Sequence, residues 1–129
     1  MTDALIAELE RATEGSRGLD AEIWLTLPGN TRRQWSYTHE ATGRECHVDE
    51  TRDANHRLVI VPYYTTNIDS AITLVPEGRW WVLNSGVQSR SALAQVEHEN
   101  GGWDKYEGRG ATPAIALCIA ALKTRKEPE

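Results

Sequence analysis

Residues 112–126 read TPAIALCIAALKTRK, and this stretch decides how the rest of the chain folds. Thr112 can cap a helix, and Pro113 suits the first helical position, where its missing N–H costs nothing. One side of the helix is lined by Ile115, Cys118, Ile119 and Leu122. Leu117 and several alanines keep most of the remaining circumference apolar. The stretch therefore predicts a helix over 112–125 that is deeply buried against a sheet.

Periodicity predicts the other elements. Helical spacing indicates helices over 3–14, 19–27 and 66–75, the last with Thr66 as its N-cap. Alternation predicts strands at 79–84 and 91–99 that form an antiparallel hairpin, and a second strand pair at 32–40 and 46–48. Three segments are expected to be irregular or extended: a solvated loop at 49–57, an extended run at 58–62 and a Gly-rich loop at 100–110.

A chain of 129 residues fits one domain, here expected to span 1–129. The element pattern predicts an α+β fold in which a small, mainly antiparallel sheet is sandwiched between helices, in α/β/α layers. No apolar run approaches 18 residues, which argues against a membrane partner. The acidic, amphipathic start lacks the features of a signal peptide, so we expect a cytoplasmic location. The net charge of −5 makes nucleic acid an unlikely partner.

Chemical motifs are scarce. The two cysteines lie far apart, and a reducing compartment disfavours their pairing, so Cys118 is expected to be a small core residue. The four histidines lack zinc-ligand spacing, and no nucleophile elbow or phosphate-binding loop is present. The sequence therefore assigns no catalytic residue, metal ligand or cofactor. An enzyme of unrecognised chemistry around His98, Glu99 and Asp104 stays as an alternative.

Trp80 and Trp81 are adjacent, so on a strand they face opposite sides. In a three-layer arrangement both side chains would be buried, and this is the interpretation that we favour. The alternative is an exposed aromatic platform that stacks on a base or a partner.

The strongest candidate for a ligand site lies at 103–112. Gly108 and Gly110 would let a ligand approach the backbone, but the interpretation that we favour is that they only shape the entry to the last helix. In the functional interpretation a small anionic ligand such as a nucleotide is stacked and its phosphate is bound. The residues that would bind it are Trp103, Tyr106, Arg109 and Thr112.

Four sequence blocks occur in an order that resembles the phage ABA-sandwich domain proteins, small accessory proteins of bacteriophages and prophages. The blocks are ATEGSRGLDAEI (12–23), YTTNIDSAITLVPEG (64–78), WWV (80–82) and ATPAIALCIAALK (111–123). The resemblance covers the N-terminal helices and 63–125, and leaves 29–60 as a variable or inserted segment. It implies a small sheet between helical layers and brings no catalytic residues. The resulting expectation is a non-enzymatic accessory protein that binds a host protein.

Overall fold

The computed structural model describes residues 2–85, 92–97 and 106–126. Within them the helices are α1 (Thr2–Arg11), α2 (Arg17–Leu25), α3 (Ile68–Ile72) and α4 (Pro113–Lys126). The strands are β1 (Thr31–Thr38), β2 (Glu45–Arg52), β3 (Trp81–Ser85), β4 (Ala92–Val96) and β5 (Tyr106–Gly110). In this part of the chain no helix has the length and apolar character that a membrane crossing requires.

The chain divides into two compact units. The core unit comprises Met1–Ile23 and Pro62–Glu129, and the hairpin unit comprises Trp24–Val61. The core unit holds the three-stranded antiparallel sheet, in the order β3-β4-β5. The hairpin unit holds the antiparallel pair of β1 and β2.

Helix α4 is the centre of the core unit. Every residue from Ala114 to Leu122 is buried. The helix packs on all three strands of the sheet and also contacts α1 and α3. At its start, the Thr112 hydroxyl accepts a hydrogen bond from the Ile115 N–H at 3.2 Å. The helix expected at the end of the sequence is thus confirmed, with its cap.

The sheet of the core unit has two unlike faces. One face carries Ala94, Val96, Tyr106 and Gly108, which are all buried, and α4 lies against it. The opposite face carries half-buried Gln95 and Glu107 and exposed Arg109. The α+β class and the antiparallel pairing expected from the sequence are confirmed. Among the described residues, the helices that contact this sheet are α4 and α1.

The exposure of Trp80 differs from what the sequence predicted. Its side chain is 73% exposed, whereas that of Trp81 is partly buried. The Trp80 carbonyl accepts a hydrogen bond from the Glu97 N–H at 2.9 Å, so the strand pairing continues through this residue. Alternation therefore directs Trp80 to the face of the sheet that α4 does not cover. The expectation that both tryptophans are buried is wrong.

Two local assignments also change. The Gly-rich segment expected to be a loop contains strand β5, which pairs with β4 from Tyr106 to Gly110. Helix α3 is capped by Asn67 instead of Thr66, since the Asn67 side chain accepts a hydrogen bond from the Ser70 N–H at 3.3 Å. Asn and Thr compete at this kind of position because either side chain can accept from the first turn.

A buried polar network joins the start of α2 to the segment before α3. Asp20 is fully buried. Its Oδ1 accepts two hydrogen bonds from Thr65, one from the N–H at 2.8 Å and one from the hydroxyl at 2.7 Å. The other carboxylate oxygen pairs with Arg17 at 2.9 Å. The Arg17 guanidinium also lies over the Tyr63 ring, 3.8 Å from its centroid. Each carboxylate oxygen therefore has a partner, which is what makes a buried charge tolerable.

The two thiols are expected to differ in reactivity. Both are free, but Cys118 is buried and its Sγ donates to the Tyr64 carbonyl at 3.2 Å, whereas Cys46 is partly exposed. Burial raises the pKa of Cys118 to about 12, so the reactive thiolate is scarce in the folded protein. A disulfide reagent at pH 8 should modify Cys46 alone in buffer and both thiols in denaturant. Rapid labelling of Cys118 in buffer would contradict the burial of α4.

Candidate functional site

The structure does not bring together the residues of the ligand site predicted from sequence. Trp103 lies outside the described residues. Tyr106 is buried on the face of β5 that meets α4, and Arg79 lies over its ring at 5.8 Å. Arg109 points to the opposite face, where it is exposed and pairs with Glu107 at 3.4 Å. A ligand stacked on Tyr106 would thus be separated by the sheet from the Arg109 guanidinium.

The two glycines of β5 have a packing role. A Cβ atom at Gly108 would collide with the Ala116 carbonyl and lie 2.6 Å from the Ala120 nitrogen. A Cβ at Gly110 would lie 2.7 Å from Ile115 Cγ2. Because these obstacles belong largely to the helix backbone, they cannot rotate away. The glycines allow α4 to lie directly on β5, so packing explains them and no ligand is required.

Replacing Gly108 by alanine should lower the free energy of unfolding by about 1–3 kcal/mol, since the added methyl group overpacks the β5–α4 contact. The matched control is Gly18→Ala, where the nearest atom to a new Cβ is Ser16 Oγ at 3.9 Å. At that helical position alanine should be neutral or stabilise by up to about 1 kcal/mol. Urea denaturation of both variants checks the prediction. Equal stabilities would mean that β5 and α4 are farther apart than described.

A groove of about 350 Å³ lies at the start of α4 in the core unit. Its walls include Thr65, Thr112 and Pro113, with Ile68 and Glu14 beside them. The described residues that line it include one carboxylate and no lysine or arginine. The Thr112 hydroxyl already serves the helix as a cap. The groove therefore offers little attraction to a phosphate beyond the helix N-terminus itself.

The residues of the enzyme hypothesis, His98, Glu99 and Asp104, lie outside the described residues. Within 2–85, 92–97 and 106–126, no three His, Cys, Asp or Glu side chains converge in a way that could hold a metal ion. The hairpin unit, by contrast, exposes a row of aromatic and apolar side chains.

Strands β1 and β2 form a ribbon with one aromatic face. Residues that are directly opposite in an antiparallel pair project to the same side. The register pairs Arg33 with Glu50, Trp35 with Val48, and Tyr37 with Cys46. We call these six side chains the aromatic face: Arg33, Trp35, Tyr37, Cys46, Val48 and Glu50. All eight residues of β1 are exposed, Trp35 by 37% and Tyr37 by 50%.

The aromatic face extends beyond β2. Leu58 is paired with Arg52, and the Val59 N–H donates to the Thr51 carbonyl at 3.0 Å, so residues 58–60 run alongside β2. Leu58 is exposed, and Ile60 is 82% exposed. Because Leu58 lies opposite Arg52, which is in phase with Glu50, its side chain continues the aromatic face. The hairpin unit thus exposes four large apolar or aromatic side chains, those of Trp35, Tyr37, Leu58 and Ile60.

The other side of the ribbon is polar. Its members on β1 are Arg32, Gln34, Ser36 and Thr38, and those on β2 are Glu45, His47, Asp49 and Thr51. A shallow hollow of about 310 Å³ includes Ser36, His47 and Asp49. These residue types occur in hydrolases, but no hydrogen bond joins Ser36 to His47, and Asp49 is held by Arg32 at 2.8 and 3.0 Å. That pairing lowers the pKa of Asp49. The trio lacks the linked geometry that activates a serine.

Comparisons with protein-family models, curated proteins and solved structures found no match to this chain.

Proposed function

We propose that this chain is a non-enzymatic accessory protein of bacteriophage or prophage origin that binds a host protein through the aromatic face. The observation that carries the proposal is the exposed row of Arg33, Trp35 and Tyr37 along β1. Arg, Trp and Tyr are the residue types most enriched where binding energy concentrates in protein interfaces. The order of the four sequence blocks supports the phage origin, and the host cytoplasm is the place where such a protein would act.

The exposed apolar side chains of the ribbon also favour a binding partner. A two-stranded hairpin is marginally stable alone, and an amphipathic one normally buries its apolar face. Here the apolar side chains alternate with polar ones, yet Trp35 and Tyr37 stay open to solvent. Arg33 lies over the Trp35 ring at 4.7 Å, which holds the guanidinium beside the exposed indole. A binding partner would cover this face and recover the free energy that its exposure costs.

A nucleotide has less support as the ligand. The residues proposed for it from sequence include Tyr106 and Arg109, which lie on opposite faces of the core sheet. The groove at the start of α4 lacks a cation among its described lining residues. A protein partner at the aromatic face requires neither feature.

Affinity capture from a bacterial lysate tests the proposal. The wild-type chain should retain a host protein, and a Trp35→Ser/Tyr37→Ser variant should lose it. The matched control, Gln34→Ala/His47→Ala, alters the polar side of the same strands and should retain it. Circular dichroism verifies that each variant is folded. Equal retention by both variants, or retention of nothing by the wild type, would refute the proposed function.

A photo-crosslinking amino acid removes the ambiguity of a variant that weakens the ribbon. Placed at Tyr37, it should give a covalent adduct with the captured protein. Placed at His47, on the polar side of β2, it should give none. Adducts of equal yield at both positions would exclude the aromatic face as the contact.

A further inference from the structure

Strand β1 has an outer edge whose backbone groups are available. In the ladder with β2, the His39 N–H donates to the Arg44 carbonyl at 2.8 Å, and the same register pairs Thr38 with Glu45. Antiparallel pairs alternate between bonded and non-bonded, so the groups of residues 33, 35 and 37 turn towards β2. The N–H and C=O groups of the intervening residues point away from it: Arg32, Gln34, Ser36 and Thr38. Within the described part of the chain, β1 pairs with β2 alone.

The side chains along this edge have a defined charge. Arg32 is neutralised by its two-pronged pair with Asp49. Glu50 on the aromatic face is occupied by Arg52 at 2.6 Å. Arg33, by contrast, has no carboxylate partner among the described residues and contacts the Trp35 ring. The edge therefore presents one available positive charge next to two exposed aromatic rings.

We propose that β1 takes an extended segment of the partner protein as an additional strand, with a carboxylate of that segment opposite Arg33 and an apolar side chain against Trp35 or Tyr37. This inference rests on the proposed function and specifies how the partner is bound. Strand addition supplies main-chain hydrogen bonds, and alternate side chains supply the selectivity. The carboxylate gives Arg33 an ion pair that Glu50, which lies opposite it but pairs with Arg52, does not form.

The composition of the hairpin unit suits an acidic segment. Residues 24–61 contain five arginines, no lysine and five carboxylates, so the net charge of −5 belongs to the rest of the chain. An acidic strand therefore meets a locally neutral unit with an available arginine. A second copy of β1 fits less well, because TRRQWSYT contains two cations and no acid. A nucleic-acid strand fits less well too, since binding several phosphates requires several available cations.

A proline substitution tests whether the outer edge of β1 binds the partner segment. Because the Gln34 N–H points outwards, Gln34→Pro removes a group from the outer edge while the β1–β2 ladder keeps its bonds. The probe is a phage-displayed library of random twelve-residue peptides, from which a fluorescent consensus peptide is made. Gln34→Pro should weaken its binding about tenfold or more, as expected for lost strand hydrogen bonds. The matched control Gln34→Ala should change it less than about twofold, because it keeps the backbone N–H.

Peptide selection on a charge-reversed variant, compared with selection on the wild type, tests the proposed contact between Arg33 and a carboxylate. The wild type should enrich Asp or Glu next to a bulky apolar residue. Arg33→Glu should enrich Lys or Arg at the same position of the peptide. Unchanged peptide charge in the two selections, or no enrichment with the wild type, would overturn the proposed carboxylate contact.

Hydrogen exchange separates strand addition from simple coverage of the face. On binding the peptide, the amides of Arg32, Gln34 and Ser36 should become protected, whereas those of residues 33, 35 and 37 are bonded already and should change little. Strand addition would be overturned if Trp35→Ser abolished binding, Gln34→Pro had no effect on it, and the exchange rates did not change. The proposed function would stand in that case. Binding insensitive to Trp35→Ser would refute both.

Two further measurements check the rejected occupants. Light scattering should find the free chain monomeric, and a dimer dissociated by Gln34→Pro would assign the edge to a second copy. A fluorescent twelve-nucleotide oligo-dT should not bind. Binding to oligo-dT that Trp35→Ser abolishes would assign the edge to single-stranded nucleic acid and overturn the proposal.

Discussion

Replacing Ile119 by aspartate should leave the core unit unfolded at room temperature. Ile119 is fully buried in α4, in the middle of a run of buried residues on every side of the helix. A carboxylate there would have to remain charged without a partner or be protonated, and either state costs several kcal/mol. The stability of a domain is only about 5–15 kcal/mol, so one such change consumes most of it. Circular dichroism and urea denaturation should show the loss.

The matched variant Ile119→Val separates charge from volume. It removes one methylene group and should cost about 0.5–1.5 kcal/mol, which leaves the chain folded. Modification of Cys118, one residue away in sequence, reports on the same helix, because its thiol becomes reactive once α4 is exposed. A soluble Ile119→Asp variant with an unchanged melting temperature would mean that α4 is peripheral.

Replacing Asp20 by alanine should lower the free energy of unfolding by about 3–5 kcal/mol. The substitution removes the acceptor for the N–H and hydroxyl of Thr65. The buried Thr65 N–H is left without a partner, which costs about 1–3 kcal/mol. The Thr65 hydroxyl keeps its longer bond to the Ser16 carbonyl at 3.2 Å, and the Arg17 ion pair is lost as well. The loosened contact lies between the start of α2 and residues 62–66. Chemical denaturation monitored by near-ultraviolet circular dichroism measures the effect.

Asp20→Asn serves as the control because the amide oxygen can still accept from Thr65. It should retain a large part of the stability that alanine loses, although the attraction to Arg17 weakens. If alanine and asparagine were equally destabilising, the charge pair would be the dominant contribution. If neither had an effect, the network would contribute nothing to folding.

The sequence predicted α4 well because all its determinants are local. Thr112 and Pro113 define the start, and the apolar residues that follow occupy every side of the helix, which is typical of a buried one. Strand β5 could not be predicted in the same way. Gly108 and Gly110 weaken a strand by propensity, and the reason for them is the close approach of α4, which comes from a different part of the sequence.

Alternation shows which residues share a face, but not which face is covered. It separated Trp80 from Trp81 and left their burial to the layers around them. The same limit applies to the candidate site. The sequence indicated a strand containing Trp35 and Tyr37, yet periodicity has no means of showing that their side stays open. The charged composition of 49–57 predicted a loop, whereas β2 continues to Arg52. Charged residues are as common on an exposed ribbon as in a loop, so composition did not separate the two.

The central position of α4 also sets the order in which the chain can fold. Helix α1 and the core sheet pack on a helix that the ribosome makes after all of them, with α1 and α4 about a hundred residues apart in sequence. Contacts of such long range slow folding, because closing the loop costs entropy before the contact compensates for it. The β1–β2 ribbon depends on neighbours in sequence and can form early. A nascent chain would therefore display strand β1 while the apolar surfaces of the core unit are not yet covered by α4. This is the interval in which chaperones would be needed most.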